Sequence, residues 1–259
     1  MPEKLNVALI QTELFWEDPK RNREHFERKI LTIPEGTDLI ILPEMFTSGF
    51  TMNAEKVAES MDGITVNWMK HLAKTKDAAI IGSIVISENE AFYNRLLFVL
   101  PNGQIRHYDK KHTFTLAGEH KAYSAGHSQA LIEFRGWKIL PLICYDLRFP
   151  VWARNTMDYD VLLYVANWPN KRISAWDTLL KARAIENMSY CIGVNRIGED
   201  ANGRYYPGHS AVYDVLGNKL DTIESNESIV EIVSIDKKEI DNTRKKLGFL
   251  NDRDNFILM

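Results

Sequence analysis

The 259-residue chain is 45% hydrophobic and well supplied with Trp, Tyr and Phe, so it can bury a full core, and no Gly/Ser/Pro-rich linker divides it. Its 32 basic and 35 acidic side chains leave a formal net charge of −3 with no long run of either sign, which argues against a nucleic-acid footprint. The two cysteines, Cys144 and Cys191, stand in neither a C-x-x-C nor a Cys/His spacing, which disfavours a disulfide scaffold and a structural metal, and no apolar stretch reaches transmembrane length. The first residues, Met1 to Val7, enter a strand pattern without the basic segment and apolar core of a signal peptide, so a cytoplasmic protein is expected.

In chain order, Leu5 to Gln11 reads as a strand and Asp18 to Leu31 as a helix with Phe26, Ile30 and Leu31 among its charges. Asp38 to Pro43 is a near-continuous apolar run that stops at Glu44, as suits a strand buried on both faces. Ala54 to Lys76 reads as helix broken near Asp62-Gly63, and Ala78 to Ile86 as another buried strand. Three hairpins follow: Ala91 to Pro101 with Gln104 to Lys110 through Asn102-Gly103, Gln129 to Phe134 with Trp137 to Cys144 through Arg135-Gly136, and His209 to Asp214 with Asn218 to Thr222 through Leu216-Gly217. Between the second and third lie a helix from Val151 to Asn155, a strand from Val161 to Asn167, a helix from Ser174 to Met188 and a strand from Tyr190 to Asn195. Ser228 to Ile235 adds a strand and Lys237 to Lys246 a charged helix, with no assignment for the tail through Met259. Helices alternating with strands, some of them in hairpins, predict sheets covered by helices, with two sheets face to face as one arrangement.

Three of these strands end in functional groups: Glu44, Lys110 and Cys144. A free cysteine ending an apolar run is ordinarily a small core hydrophobe. A carboxylate, an ammonium and a thiol gathered at one rim would instead make a cysteine hydrolase without a histidine base. Glu44 would take the thiol proton and later activate water, while Lys110 would lower the thiol pKa and stabilise an oxyanion. Alternation along a strand sends Lys110 and Lys111 to opposite faces, which leaves the choice between them open. G-x-S-x-G, H-E-x-x-H and a Walker loop are all absent.

Leu42-Pro43-Glu44-Met45-Phe46, Tyr108-Asp109-Lys110-Lys111-His112-Thr113-Phe114 and Ile143-Cys144-Tyr145-Asp146-Leu147-Arg148-Phe149-Pro150 resemble the Glu, Lys and Cys motifs of the nitrilase superfamily of carbon–nitrogen hydrolases. Val165 to Pro169, Ala182 to Asn187 and Gly208 to Ser210 add matches in the family's order, so the resemblance runs from about Leu5 to Ile235. It implies an α/β fold, the four-layer α-β-β-α sandwich, as a single domain over residues 1–259 with its core at about 5–235 and a C-terminal extension over 236–259. It also implies pairing into a homodimer or higher homo-oligomer, a small-molecule amide substrate, and no cofactor, metal, nucleic-acid or membrane partner. The family's lysine stands two before His, hence Lys110. Glu44 then resembles the general base, Cys144 the nucleophile, and Glu119 a second active-site glutamate that orients the lysine.

The Tyr145 backbone N–H is the natural second oxyanion donor; Asn167 and Trp168 are candidate pocket residues, Trp168 reading equally as core, and Lys171-Arg172 offer a cation, Arg172 the candidate, for a substrate carboxylate or else form a solvated basic pair. Asp146 and Arg148 read equally as a buried ion pair or as a substrate contact, and Arg183 with Glu186 as a structural brace. The wording of the motifs, Asn167-Trp168-Pro169 above all, looks most like the omega-amidase branch, which hydrolyses 2-oxo dicarboxylic monoamides such as 2-oxoglutaramate. Another superfamily amidase, carbamoylase or nitrile hydrolase is the nearest alternative, and a catalytically silent binding module a second.

Overall fold

Strand β1 (Lys4–Gln11) is covered on both faces: Leu5, Val7 and Leu9 enter one apolar cluster, and Ala8 and Ile10 enter another. That alternation is repeated through the computed structural model, which describes residues 3–258; Met1, Pro2 and Met259, the end of the unassigned tail, lie outside the described residues. After β1 come α1 (Pro19–Thr32), β2 (Leu39–Ile41), α2 (Ala54–Val57), α3 (Ile64–Lys76), β3 (Ala79–Glu88), β4 (Ala91–Val99) and β5 (Ile105–Asp109). Next are α4 (Glu119–Ala122), β6 (Ile132–Phe134), β7 (Trp137–Ile143), α5 (Pro150–Ala153), β8 (Val161–Ala166), α6 (Ile173–Asn187) and β9 (Tyr190–Asn195). The chain closes with β10 (Ile197–Glu199), β11 (Tyr205–Pro207), β12 (Ala211–Tyr213), β13 (Ile229–Asp236) and α7 (Lys237–Leu247).

The strands form a six-stranded sheet in the order β13-β1-β2-β3-β4-β5 and a five-stranded sheet in the order β12-β9-β8-β7-β6, with β10 and β11 as a separate ribbon. Inner-facing Leu5, Val7, Leu39, Ile41, Leu96 and Phe98 of the first sheet share one core with Ile139, Leu140 and Leu142 of β7. Phe26 and Ile30 of α1 and Val66, Met69 and Leu72 of α3 cover the outer face of the first sheet, against Ala8, Ile10, Ile40 and Ile80. Trp176, Leu180 and Ala184 of α6 cover the second. The result is the four-layer α-β-β-α sandwich. Gly193 lets α6 approach β9: a Cβ there would lie 2.5 Å from Leu180 Cδ1 and 2.7 Å from Trp176 Cζ2.

Three expectations change. The helical run from Ala54 resumes at Ile64, just past the expected break at Asp62-Gly63, but the break is wider than expected and opens at residue 58, because Glu59 pairs with β3, its N–H donating to Val85 O and its carbonyl accepting Ser87 N–H. The Glu59 carboxylate then takes the Thr65 N–H at 2.7 Å and caps α3. In the third hairpin only β12 is a strand. The arm from Asn218 to Thr222 keeps one bridge, Tyr213 to Lys219, because the Asp221 side chain accepts the Val212 N–H at 2.8 Å. The β10–β11 hairpin was not expected, its two arms being only three residues long.

Candidate active site

The parallel strands deliver their C-terminal ends to one rim, where a doubly covered α/β sheet exposes backbone and side chains together. β2 ends at Ile41 and the chain turns at Glu44, with Met45 held at φ +41° and its N–H donating to Ser83 Oγ at 2.8 Å. β7 ends at Ile143, and Cys144 opens a 3₁₀ turn through Arg148 at φ +43°, a conformation that costs a non-glycine residue on the order of 1–3 kcal/mol. This strained turn, one residue past an apolar strand, brings the half-buried thiol to the rim. β5 supplies Lys110, whose N–H donates to Asn94 O, and the short helix α4 supplies Glu119.

The structure brings all four together. Lys110 Nζ donates to Glu44 Oε1 at 2.8 Å and to both oxygens of Glu119 at 3.0 Å, with all three side chains essentially inaccessible to solvent. Glu44 Oε2 accepts the Asn167 N–H at 2.8 Å, and Asn167 Nδ2 donates to the Glu44 carbonyl at 2.6 Å, so Glu44 is fixed from β8 as well. The Cys144 thiol faces the Asn167 carbonyl at 4.0 Å. Lys111, one residue on, points elsewhere: its ammonium lies 5.4 Å from the Trp152 ring centroid.

Burial opposes charge on Lys110, yet Glu119 and Glu44 outweigh it and hold the ammonium above its ordinary range. Burial raises the Glu119 carboxyl despite Lys110 beside it. The thiol departs from expectation. Burial and then the negative field of Glu44 push Cys144 well above the usual thiol range, and the pull of Lys110 is too weak to reverse them. Cys144 therefore rests as a protonated thiol, and a neighbouring base has to ionise it.

Cys144 opens onto a pocket lined by Phe50, Phe114, Trp168 and Tyr206, with Lys110 and Asn167 at its floor. Tyr145, the residue after the thiol, also lines it, as do Arg148, Arg172 and Arg204. Among the described residues none of these three guanidinium groups has a carboxylate partner. Arg172 lies 5.1 Å from the Phe114 ring centroid and Arg148 5.0 Å from that of Trp168. Lys171 is exposed and outside the pocket. Trp168 is at once core and pocket wall, its indole N–H donating to Arg172 O at 2.7 Å.

The Asp146–Arg148 ion pair considered from the sequence does not form: Asp146 accepts from Tyr108, Ile143 and His112 instead, which frees Arg148 for the pocket. Arg183 does brace the fold, pairing with Glu186 and donating to Leu147 O at 2.7 Å behind the Cys144 turn. Sequence reasoning missed Asn94, whose side chain donates to Glu44 Oε1 at 2.8 Å, and also Arg204 and Tyr206. Asn94 sits in a strand where period-2 alternation marks only an inward polar residue, and Arg204 in a hairpin with no motif.

The carbon–nitrogen hydrolase family model matches residues 6–245. A CN-hydrolase superfamily protein from Xanthomonas campestris, solved with an arsenic adduct in its active site, superposes with a TM-score of 0.96 at 40% identity over 100% of both chains. Omega-amidase YafV of Escherichia coli (strain K12) is 44% identical over 254 residues, 98% of each chain. The 2-oxoglutaramate amidase of Bacillus subtilis (strain 168) is 32% identical over 254 residues, 96% of this chain and 97% of that one. With a thiol, a lysine and two buried glutamates converging at the rim of a four-layer sandwich, and with relatives matched end to end, this chain belongs to the carbon–nitrogen hydrolase family of the nitrilase superfamily.

Proposed function

We propose that the protein hydrolyses the terminal amide of a small 2-oxo dicarboxylic monoamide, 2-oxoglutaramate or a close analogue, to the carboxylic acid and ammonia. The observation that carries this reading is the pocket itself, in which the only accessible cysteine faces Arg148, Arg172 and Arg204, cations without partners among the described residues. Guanidinium groups match a carboxylate bidentately, so a substrate that carries an amide for the thiol and a carboxylate for a guanidinium finds both partners in this pocket. The names of the relatives point the same way.

In the proposed reaction Glu44 takes the Cys144 proton as sulfur adds to the amide carbon. The oxyanion is held by the Lys110 ammonium and the Tyr145 backbone N–H. Glu44 returns the proton to the nitrogen, the C–N bond breaks, and ammonia leaves a thioester on Cys144. Glu44 then deprotonates a water that attacks the thioester; sulfur departs and recovers a proton, giving the acid and the free thiol. Glu119 orients Lys110 together with Glu44, Asn167 holds Glu44, and Trp168 shapes the wall. No step requires a metal or cofactor. We further read residues 1–259 as one carbon–nitrogen hydrolase domain that acts in the cytoplasm as a homodimer or higher homo-oligomer.

The test is ammonia release from 2-oxoglutaramate, glutamine, asparagine, a neutral aliphatic amide, an N-carbamoyl amino acid and a nitrile. Preference for 2-oxoglutaramate, lost in Cys144→Ala and weakened in KM by about 10-fold or more in Arg172→Ala, is the expected result. Acid from the nitrile and none from the amides would overturn it.

A further inference from the structure

Asp146 stands two residues after the nucleophile, is fully buried, and touches neither Lys110 nor the thiol. Its carboxyl gathers four donors from two segments. Oδ2 accepts the Tyr108 hydroxyl at 2.8 Å and the Ile143 N–H at 3.0 Å; Oδ1 accepts the His112 N–H at 3.0 Å and His112 Nδ1 at 2.8 Å. Tyr108 and His112 are the residues two before and two after Lys110, and Ile143 immediately precedes Cys144. The contact is closed on its other side too. The His112 ring stacks on Phe149 with centroids 3.6 Å apart and planes 4° apart, and the Phe149 N–H donates to Asp146 O at 3.0 Å. Tyr108 is held in turn, its hydroxyl accepting the Trp152 indole N–H at 3.0 Å and the Lys111 N–H at 3.1 Å.

Lys110 follows a strand of the six-stranded sheet and Cys144 follows a strand of the five-stranded one. Apolar side-chain packing, which is non-directional and tolerates small sliding, fills the space between those sheets, and the polar contact of Asn167 with Glu44 across them holds Glu44 rather than the segments that flank Lys110 and Cys144. Attack on a carbonyl does not tolerate it: a displacement of about 1 Å costs on the order of 10²-fold in rate. A directional contact between the Lys110 and Cys144 segments themselves is therefore what sets their separation. We propose that Asp146 is a positioning residue, a polar clip that fixes the Lys110 ammonium relative to the Cys144 thiol by binding both of their flanking segments. Arg172, the cation proposed to seat the substrate from a separate segment, lies outside the turn that Asp146 holds, so the clip acts on the chemical step.

This proposal rests on Cys144 and Lys110 being the reacting groups. The test is kcat and KM of Asp146→Asn with 2-oxoglutaramate, with competent thiols counted by iodoacetamide titration. Asparagine keeps the volume but presents an amide N–H₂ to donors. The expected result is a fall in kcat per titrated thiol of about 10- to 100-fold, with KM within about threefold of wild type. Tyr108→Phe removes one of the four donors and is expected to show the same split at smaller size, and the double variant is expected to lose less than the product of the two. Wild-type kcat per titrated thiol, a loss confined to KM, or multiplicative single effects would each overturn the clip. If Asp146→Asn does not fold, the kcat and KM of Tyr108→Phe decide alone. Hydrolysis surviving in Cys144→Ala overturns the underlying reading, whereas hydrolysis lost there but undiminished per thiol in Asp146→Asn overturns only the clip.

Discussion

Lys110 and Lys111 are consecutive and could hardly differ more in surroundings. Lys110 is sealed between two carboxylates, and Lys111 rests over an indole. Removing Lys110 leaves Glu44 and Glu119 buried without a counter-charge, so Lys110→Ala is expected to abolish ammonia release and to cost about 3–5 kcal/mol in denaturant unfolding. Lys111→Ala removes one cation–π contact, worth about 0.5–1 kcal/mol, and is expected to keep most of the activity. The opposite pattern would show that the wrong lysine has been placed at the centre. The thiol makes a second prediction at this scale. With its pKa pushed well above the ordinary thiol range by burial and by Glu44, Cys144 carries its proton at pH 7. The thiolate ultraviolet absorbance of wild type minus Cys144→Ala is therefore expected to be flat through neutrality. A difference already present at pH 7 would mean that Lys110 dominates the thiol and that no base is needed.

The elements matter through how closely they approach. α6 packs on β9 at Gly193 with no room for a methyl group between the strand and the Leu180 and Trp176 side chains, and the same helix carries Arg183, which ties down the turn behind Cys144. Gly193→Ala is expected to push the helix outward and to cost about 1–3 kcal/mol of stability, read as a lowered denaturant midpoint. An unchanged midpoint would show that the helix can shift freely. Phe50 of the loop before α2, Phe114 of the loop before α4, and Arg204 and Tyr206 of the β10–β11 hairpin complete the pocket, so the sheets supply the reacting groups and the connections supply the recognition.

At the scale of the whole molecule, the surface near α5 and the chain end is unusually apolar. Val151, Phe256, Ile257 and Leu258 are all exposed, and Leu258 shares a surface depression with Trp152 and Val151. Single exposed apolar residues are ordinary, but a group of them rimmed by charges marks an interaction face. Sedimentation is expected to give twice the chain mass, and a variant with Phe256, Ile257 and Leu258 replaced by Ser is expected to shift toward the monomer. A monomeric wild type at micromolar concentration would remove the homodimer from the reading. No helix among the described residues is long and apolar enough to cross a membrane.

What the sequence determined by itself is local. Apolar runs that end in Glu44 and Cys144 specify buried strands with chemistry at their tips, and Asn102-Gly103 and Arg135-Gly136 specify hairpins, the first of which ends at Lys110, because periodicity and turn chemistry act over a few residues. The ordered motifs extended that to the four-layer family. Contacts between distant segments were decided only in the tertiary structure. Asp146 chose Tyr108 and His112 over its near neighbour Arg148, Asp221 replaced a strand ladder, and Glu59 broke a helix to pair with β3. The sign of the thiol shift was decided there as well. It depends on how deeply Cys144 is buried and on how Glu44 and Lys110 are balanced around it, and both follow from the packing of two sheets that no single stretch of sequence contains.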